Sequence, residues 1–258
     1  MLKNKTTYLN YKFFILIMEI KKLLLLIVSI LMILLIPIVI YIYSFNSITF
    51  NTNFYKKEFT KYNVYDNLAE YDIENINNDV LDYLKNEKSD NLIRNNFFNK
   101  REKLHFLDVK NLIQKTVQVY YFSIVLFLLL FIILIFLLKF KLKTIVKKIL
   151  IIIAIGSALT LIDAFLFFLL GNLNFDFVFD LFHKTFFSFG TYTFNSQFEK
   201  IVVLYPEKLF FDALLKIITK TILSSIILLF FSIIFIFAFS KGNFFKFFSK
   251  FPDGKNKK

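Results

Sequence analysis

Residues 23–43 read LLLLIVSILMILLIPIVIYIY, a run of 21 residues without a charged side chain. At a rise of about 1.5 Å per residue, such a helix covers the roughly 30 Å of a bilayer's hydrocarbon layer. A cleaved signal peptide is the alternative, but its apolar core is about 7 to 15 residues long and ends at small residues. The sequence YIYSF that closes this run offers no such site. The run therefore predicts a retained transmembrane helix.

Three further apolar runs, at 119–138, 149–170 and 221–240, have similar length and texture, and among their residues only Asp163 is charged. The chain is 57% hydrophobic, and its mean hydropathy of +0.61 is too high for a soluble core of 258 residues. It has no cysteine, which excludes disulfides, thiolate nucleophiles and cysteine metal sites. These observations predict an all-α membrane protein with four transmembrane helices.

The net charge of +13 is distributed in a way that indicates membrane orientation. Lysines cluster beside the spans, in 1–22, 139–148 and 241–258, whereas the polar segments 46–118 and 171–220 each carry equal numbers of acidic and basic residues. By the positive-inside rule, both termini and the short middle turn are expected in the cytoplasm. The balanced segments then lie outside, and no nucleic-acid partner is expected.

The outer segment 46–118 has apolar residues at helical spacing, which predicts a small, mainly helical extracytoplasmic cap and not a flexible linker. Its last part contains His105, 14 positions before the second span. A continuous helix would place this side chain about 21 Å beyond the start of that span. We therefore expect a bend, or a segment lying along the membrane interface, between His105 and residue 119.

The third span differs from the others in having small residues at four-residue spacing, Gly156, Thr160 and Ala164. Such a face allows close contact between helices. Asp163 shares this face. An ionisable group inside a span is costly, so both a structural hydrogen-bonding role and a functional role remain open for it.

The only two histidines, His105 and His183, both fall outside the spans. An imidazole can take and return a proton near neutral pH, as acyl transfer requires. Glu102 or Asp108, within one helical turn of His105, is expected to hold that ring and fix its tautomer. A metal site would need one of these carboxylates as a third ligand, without any recognisable spacing, so neither a metal nor a soluble cofactor is expected.

His183 lies in a segment rich in aromatic residues, which is typical of a helix at the depth of the lipid headgroups. The simpler interpretation is a helix anchored by its rings. A more specific one has His183, Lys184 and a turn at Gly190 facing a pocket for lipid.

Three groups of residues carry a resemblance to a known family. The pattern E-x-x-H-x-x-D-V is matched by Glu102, His105, Asp108 and Val109. The pattern F-D-x-x-F-x-x-F-H-x-x-x-F is matched by Phe175, Asp176, Phe179, Phe182, His183 and Phe187, and an aromatic–Pro pair followed by two phenylalanines by Tyr205, Pro206, Phe210 and Phe211. In these motifs and in its four spans the sequence resembles the bacterial lipoprotein intramolecular transacylases, called Lit.

The resemblance implies an enzyme of the bacterial plasma membrane whose active site faces outward. Its substrate would be a diacylated lipoprotein, whose sn-2 acyl chain moves to the amine of the terminal cysteine and leaves a lyso form. His105 and His183 would be catalytic. Orienting or substrate-binding roles would fall to Glu102, Asp108, Phe187, Tyr192 and Tyr205, with Tyr192 standing where the family usually has a tryptophan. The alternative is a non-catalytic scaffold or transporter subunit whose outer cap binds a partner.

Overall fold

The structure is a computed structural model that describes residues 2–86, 92–187 and 192–240, with the side chains of 2–11 and 240 left aside. Within these ranges the chain is helical and contains no strand. The helices are α1 (Leu2–Thr49), α2 (Thr52–Lys61), α3 (Val64–Asn67), α4 (Ile73–Lys85), α5 (Lys100–Leu137), α6 (Leu142–Leu173), α7 (Phe175–Phe186), α8 (Ile201–Leu204) and α9 (Glu207–Ser240). The all-α prediction is confirmed. The tail 241–258 and Gly190 lie outside the described residues.

Four of these helices, α1, α5, α6 and α9, are long and apolar enough to cross a membrane. The predicted runs 23–43, 149–170 and 221–240 fall inside α1, α6 and α9, and the run 119–138 extends one residue past the end of α5. The prediction of a four-span membrane protein is confirmed.

Helix α5 is continuous over 38 residues, so the expected bend before residue 119 is wrong. The physical reason is in the sequence, because residues 100–137 contain neither proline nor glycine, the usual causes of a sharp kink. Such a helix is about 57 Å long. Its uncharged part from residue 119 is long enough to cross the bilayer, and residues 100–118, which include His105, extend beyond the spanning segment.

The turn between α5 and α6 is shorter than the predicted 139–148. It occupies residues 138–141, and the lysines from 143 onward belong to the first turns of α6. Lys139 and Phe140 both adopt left-handed backbone conformations, with φ of 53° and 56°, which reverses the chain in few residues. Lysine is a good helix former, so the basic run continues as helix.

The chain divides into two compact units, and each long helix contributes residues to both. The first, called here the span unit, comprises Met1–Ile38, Ser123–Leu161 and Ser224–Lys258. Its core includes Met32, Leu134 and Thr160, all fully buried. A Cβ added at Gly156 would lie 2.5 Å from the Ile36 side chain, so the small-residue face of α6 does admit a close neighbour from α1, as predicted.

The second unit, called here the head unit, comprises Val39–Phe122 and Ile162–Leu223. One hydrophobic cluster joins α2, α3, α4 and α8 to the first turns of α5 and α9. Its most buried members include Phe59, Val64, Val80, Leu204 and Leu209. The regular apolar spacing of the cap therefore forms a real core, and the start of α5, which carries His105, is packed into it through Phe106.

Candidate active site

His105 is positioned by the way in which α5 begins. Asn99 and Glu102 form a reciprocal cap: the Glu102 carboxylate accepts the Asn99 N–H at 2.6 Å, and the Asn99 side chain accepts the Glu102 N–H at 2.9 Å. This capping box satisfies two backbone donors that a helix start leaves without partners. It fixes the helix start one turn before His105. The pattern Asn-x-x-Glu is visible in the sequence, but it was missed there.

Glu102 also ties α5 to α8. Its second carboxylate oxygen accepts the N–H of Ile201 at 2.7 Å, and the residue is only 1% exposed. Both oxygens thus bond to backbone N–H groups, so the prediction that Glu102 holds the His105 ring is wrong. Asp108 is half-buried, and it does not hold the His105 ring either. In the described part of the chain, the buried Nδ1 of His105 has no hydrogen-bond partner.

His183 lies in the last turn of α7, which Asn174 caps by accepting the N–H of Phe177 at 3.0 Å. Its ring is held by its own helix: Nδ1 is 2.7 Å from the carbonyl oxygen of Phe179. Because a carbonyl can only accept, this contact assigns the proton to Nδ1. The other nitrogen, Nε2, is then the basic one in the neutral ring.

The two imidazoles, far apart in sequence, stack in the head unit with ring centres 6.4 Å apart and planes 17° from parallel. Phe187 contacts both rings, at 4.9 Å from His105 and 5.4 Å from His183. Phe194 lies edge-on to His105 at 5.3 Å, and Tyr192 lies 5.4 Å from His183. The predicted residues His105, His183, Phe187 and Tyr192 therefore meet in one aromatic cluster.

This environment keeps both imidazoles neutral near pH 7. Burial, followed by the charge that His183 would carry, lowers the pKa of His105 from 6.5 to about 4. Burial also lowers the pKa of His183, although the Phe179 carbonyl and the charge of Asp180 oppose that shift. Since two adjacent imidazolium ions would repel each other, the pair gains at most one proton beyond its neutral form, and His183 is the ring better able to hold it.

Comparison with known proteins assigns the chain to a family. The family model described as lipoprotein intramolecular transacylase Lit matches residues 9–211, well over half of the sequence. The chain belongs to this transacylase family. The assignment favours an enzyme over the scaffold or transporter subunit considered from the sequence.

Solved structures of the same family have a similar fold. The membrane-integral lipoprotein intramolecular transacylase Lit from Bacillus cereus shares 26% identity with a TM-score of 0.65, over 81% of this chain and 93% of that one. A variant of that protein, in which one histidine is replaced by arginine, shares 23% identity with a TM-score of 0.65, over 93% of this chain and 100% of that one. No curated protein matches the chain.

Tyr205 is the predicted site residue that the structure places elsewhere. It is buried in the head-unit core, where its hydroxyl donates to Asn77 Oδ1 at 2.9 Å and its ring lies about 6 Å from those of Phe59 and Tyr55. Burial raises its pKa well above the ordinary value. An aromatic residue followed by proline can lie in a turn that packs into the core as well as in the wall of a pocket. Here the Tyr205 ring packs into the head-unit core.

The surroundings of His183 are open, since α7 has no buried side chain. Lys184, expected to face a lipid pocket, forms an exposed ion pair with Asp180 at 2.6 Å. A cavity of about 530 Å³ lies near the start of α7, and neither histidine lines it. Within the described ranges, no three histidine or carboxylate side chains are grouped to hold a metal ion.

Proposed function

We propose that this family member transfers the sn-2 acyl chain of a diacylglyceryl lipoprotein to the amino group of that lipoprotein's terminal cysteine. The products are a lyso-form lipid and an amide. The observation that supports this most directly is the pair of neutral, stacked imidazoles 6.4 Å apart, because O-to-N acyl transfer needs one proton removed from nitrogen and one delivered to oxygen.

In this proposal His183 is the base. The substrate's α-amino group has an ordinary pKa of about 7.7 to 8.0, so a sizeable share is unprotonated at neutral pH. Its nitrogen attacks the ester carbonyl carbon and forms the new C–N bond. His183 Nε2, which the Nδ1–H bond to Phe179 leaves unprotonated, accepts the proton that the nitrogen sheds.

His105 then acts as a neutral hydrogen-bond donor. Its low pKa, about 4, prevents it from competing for the proton, but a neutral imidazole still has one N–H to offer to the developing oxyanion. When the intermediate collapses, the bond from carbonyl carbon to glycerol oxygen breaks. The imidazolium of His183 returns its proton to that oxygen, so both rings end the cycle neutral.

Lipid access follows from the exposed rings of α7. Phe182 and Phe186 are 42% and 53% exposed, their ring centres lie 5.0 Å apart, and Phe182 contacts the His183 ring at 5.6 Å. Rings at headgroup depth would pack against the acyl chains and hold amine and ester together, and such orientation contributes up to about 7 to 11 kcal/mol of a barrier. Phe187 and Tyr192 would complete the substrate's surroundings.

The lysine distribution supports a location in a bacterial plasma membrane with both termini in the cytoplasm. The two histidine-bearing segments then face outward, where lipoproteins carry their lipids. Asp163 has no assigned step in this mechanism.

The proposal is tested with a reporter lipoprotein that carries an isotope-labelled sn-2 chain, expressed with the full-length protein. Mass spectrometry of the terminal peptide should find the label on the cysteine nitrogen for the wild type. It should remain on glycerol for His183→Ala and for His105→Ala. Lys184→Ala, one residue from His183 and exposed, is the control and should behave as the wild type. An unlabelled chain on the cysteine nitrogen, which would come from the sn-1 position, or wild-type conversion by either histidine variant, would refute the mechanism.

A further inference from the structure

Arg101 precedes the histidine of α5 by one turn and reaches away from that helix to the segment 193–199. Its Nη1 donates to Glu199 Oε1 at 2.7 Å, and its Nη2 donates to the carbonyl oxygen of Thr193. Its guanidinium carbon also lies 5.1 Å from the centre of the Phe194 ring. One planar group thus contacts three residues of the segment.

Glu199 extends this connection. It is 7% exposed, and its second carboxylate oxygen accepts the N–H of Asn195 at 2.6 Å. Arg101 therefore binds the two ends of a closed turn: Thr193 directly, and Asn195 through Glu199. Phe194 lies inside that turn, so its ring position depends on both bonds.

Phe194 passes this constraint to the histidine pair. Its ring centre lies 5.3 Å from that of His105, with the ring planes 72° apart, and the Arg101 guanidinium lies over the Phe194 ring. Tyr192, two residues earlier on the same segment, contacts His183 at 5.4 Å. A displacement of the segment would therefore change the surroundings of both imidazoles at once.

We propose that Arg101 is a positioning residue for the transfer reaction: through Glu199 and Thr193 it holds Phe194 against His105 and Tyr192 against His183. This inference rests on the proposed function, since it assigns a role within the same histidine pair. Arg101 does not itself touch a reacting atom. Its role is to keep the Phe194 ring against His105, which shields that imidazole from water, and to preserve the positions of the two imidazoles relative to each other.

Arginine suits this role better than lysine. Its planar fork can donate to a carboxylate and a carbonyl in fixed directions while its face stacks on a ring. A lysine would keep the charge but offer a single point of contact. The helix start also disfavours a positive charge, so the tertiary contacts, and not the local helix, account for the orientation of the guanidinium.

A purely structural ion pair is the competing explanation, and kinetics separate the two. We expect Arg101→Ala to lower kcat by about 10- to 100-fold, the range that misplacement of a catalytic group produces, with KM nearly unchanged. Arg101→Lys should recover only part of this loss. Lys100→Ala, which removes one exposed positive charge from the adjacent position, should match the wild type. The assay uses the full-length protein in detergent with a synthetic diacylglyceryl-cysteine lipopeptide.

A second readout does not depend on activity. The ionisable groups on the elements around His105 include His183, Asp180 and Lys184 of α7, Tyr192 and Glu199 of the neighbouring segment, and Arg101, Glu102, Lys103 and Asp108 of α5 itself. Uncovering the ring would hydrate it, so imidazole NMR should show the His105 pKa rising from about 4 toward 6.5 in Arg101→Ala but not in Lys100→Ala.

The inference is overturned if Arg101→Ala lowers only the melting temperature, with kcat per folded molecule and the His105 titration unchanged. If Arg101→Ala does not fold, Arg101→Lys carries the same test, because it retains the charge and loses the fork. Failure of the proposed function looks different: His105→Ala would then keep its activity, whatever the NMR titration of the Arg101 variants shows.

Discussion

The first turns of α5 and the whole of α7 each present one histidine, and they support it in opposite ways. His105 is 8% exposed, on a helix start that a buried carboxylate ties to α8 across the head-unit core. His183 belongs to a helix without a buried side chain, whose cap and ring bond are both made within the same segment. One half of the site is fixed by tertiary packing and the other by local structure.

This difference has a chemical consequence. The packed side imposes the stronger desolvation, which keeps His105 neutral, whereas the open side leaves His183 free to gain and lose a proton. A site that needs a neutral donor and a working base gains from such asymmetry. Changes to Glu102, which anchors the start of α5, should therefore act mainly through stability, and changes to the rings around His183 through activity.

The largest effect that tests this asymmetry is expected from pH. Activity requires an unprotonated substrate amine, whose ordinary pKa is about 7.7 to 8.0, and unprotonated His183, whose pKa lies below 6.5. The value of kcat/KM should therefore fall about tenfold per pH unit below the pKa of the amine, and about a hundredfold per pH unit below that of His183. A pH profile of lipopeptide conversion measures this directly. A slope that stays near tenfold per pH unit throughout the acid range would contradict the assignment of His183 as the base.

The titration of His105 should also affect stability, with the sign set by its lowered pKa. Between pH 6.5 and about 4 the unfolded chain binds a proton that the folded chain does not, so stability is full above 6.5 and falls as the pH drops toward 4. Circular dichroism melting curves should show this slope, and His105→Gln should flatten it. A slope unchanged in His105→Gln would place the sensitive group elsewhere.

The next largest effect is expected at Glu102. Replacing it by alanine leaves the N–H groups of Asn99 and Ile201 without their acceptor, which should lower the free energy of unfolding by about 2 to 4 kcal/mol. Glu102→Gln keeps one acceptor oxygen and should lose about half as much. Denaturation followed by circular dichroism measures both variants.

The matched change on the other side is Asn174→Ala, which removes the cap of α7. Because no side chain of α7 is buried, this change should fray the helix locally, with a cost of about 1 kcal/mol, and leave the global transition in place. Hydrogen exchange distinguishes the two cases. Equal loss of global stability from both variants would break the comparison between the helices.

Phe187 should show an effect on activity with little effect on stability. It is half-buried and contacts both imidazoles, so Phe187→Leu should reduce kcat/KM by about tenfold, equivalent to 1.4 kcal/mol, within the range of one or two ring contacts. The melting temperature should stay near that of the wild type. A stable variant with unchanged kcat/KM would remove Phe187 from the site.

The smallest effect is expected at Tyr205. Tyr205→Phe removes the hydrogen bond to Asn77 and should cost about 1 kcal/mol of stability, with wild-type kcat for each folded molecule. Thermal melting and the lipopeptide assay check the two halves of this statement. If kcat fell tenfold at constant stability, Tyr205 would belong to the active site as the sequence first suggested.

The sequence was sufficient for features that depend on composition and local pattern. A count of residues in each apolar run is enough to predict a transmembrane helix. With only two histidines, both outside the spans, a site that contains two histidines can have only one composition. The pairing itself came from the family resemblance. The geometry of the pair, with one ring buried and one held by the Phe179 carbonyl, depends on contacts between distant segments.

The misassigned residues show where such reasoning stops. A glutamate three positions before a histidine can orient the ring or cap the helix. Glu102 caps the helix, partly because its carboxylate also accepts the N–H of Ile201, which lies 99 positions away in the sequence. Tyr205 likewise has a partner, Asn77, 128 positions away. The continuity of α5 could have been predicted from the sequence, since residues 100–137 lack proline and glycine. The expected bend was based on the thickness of the bilayer and not on the helix-forming tendency of these residues.

The central claim, that two imidazoles act as one unit, is tested most directly by single-turnover conversion of the lipopeptide with His105→Ala, His183→Ala and the double variant. Groups that act together are strongly non-additive. We expect the double variant to be no slower than the slower single variant. Losses that multiply in the double variant, or a single variant that converts at the wild-type rate, would contradict a shared histidine site.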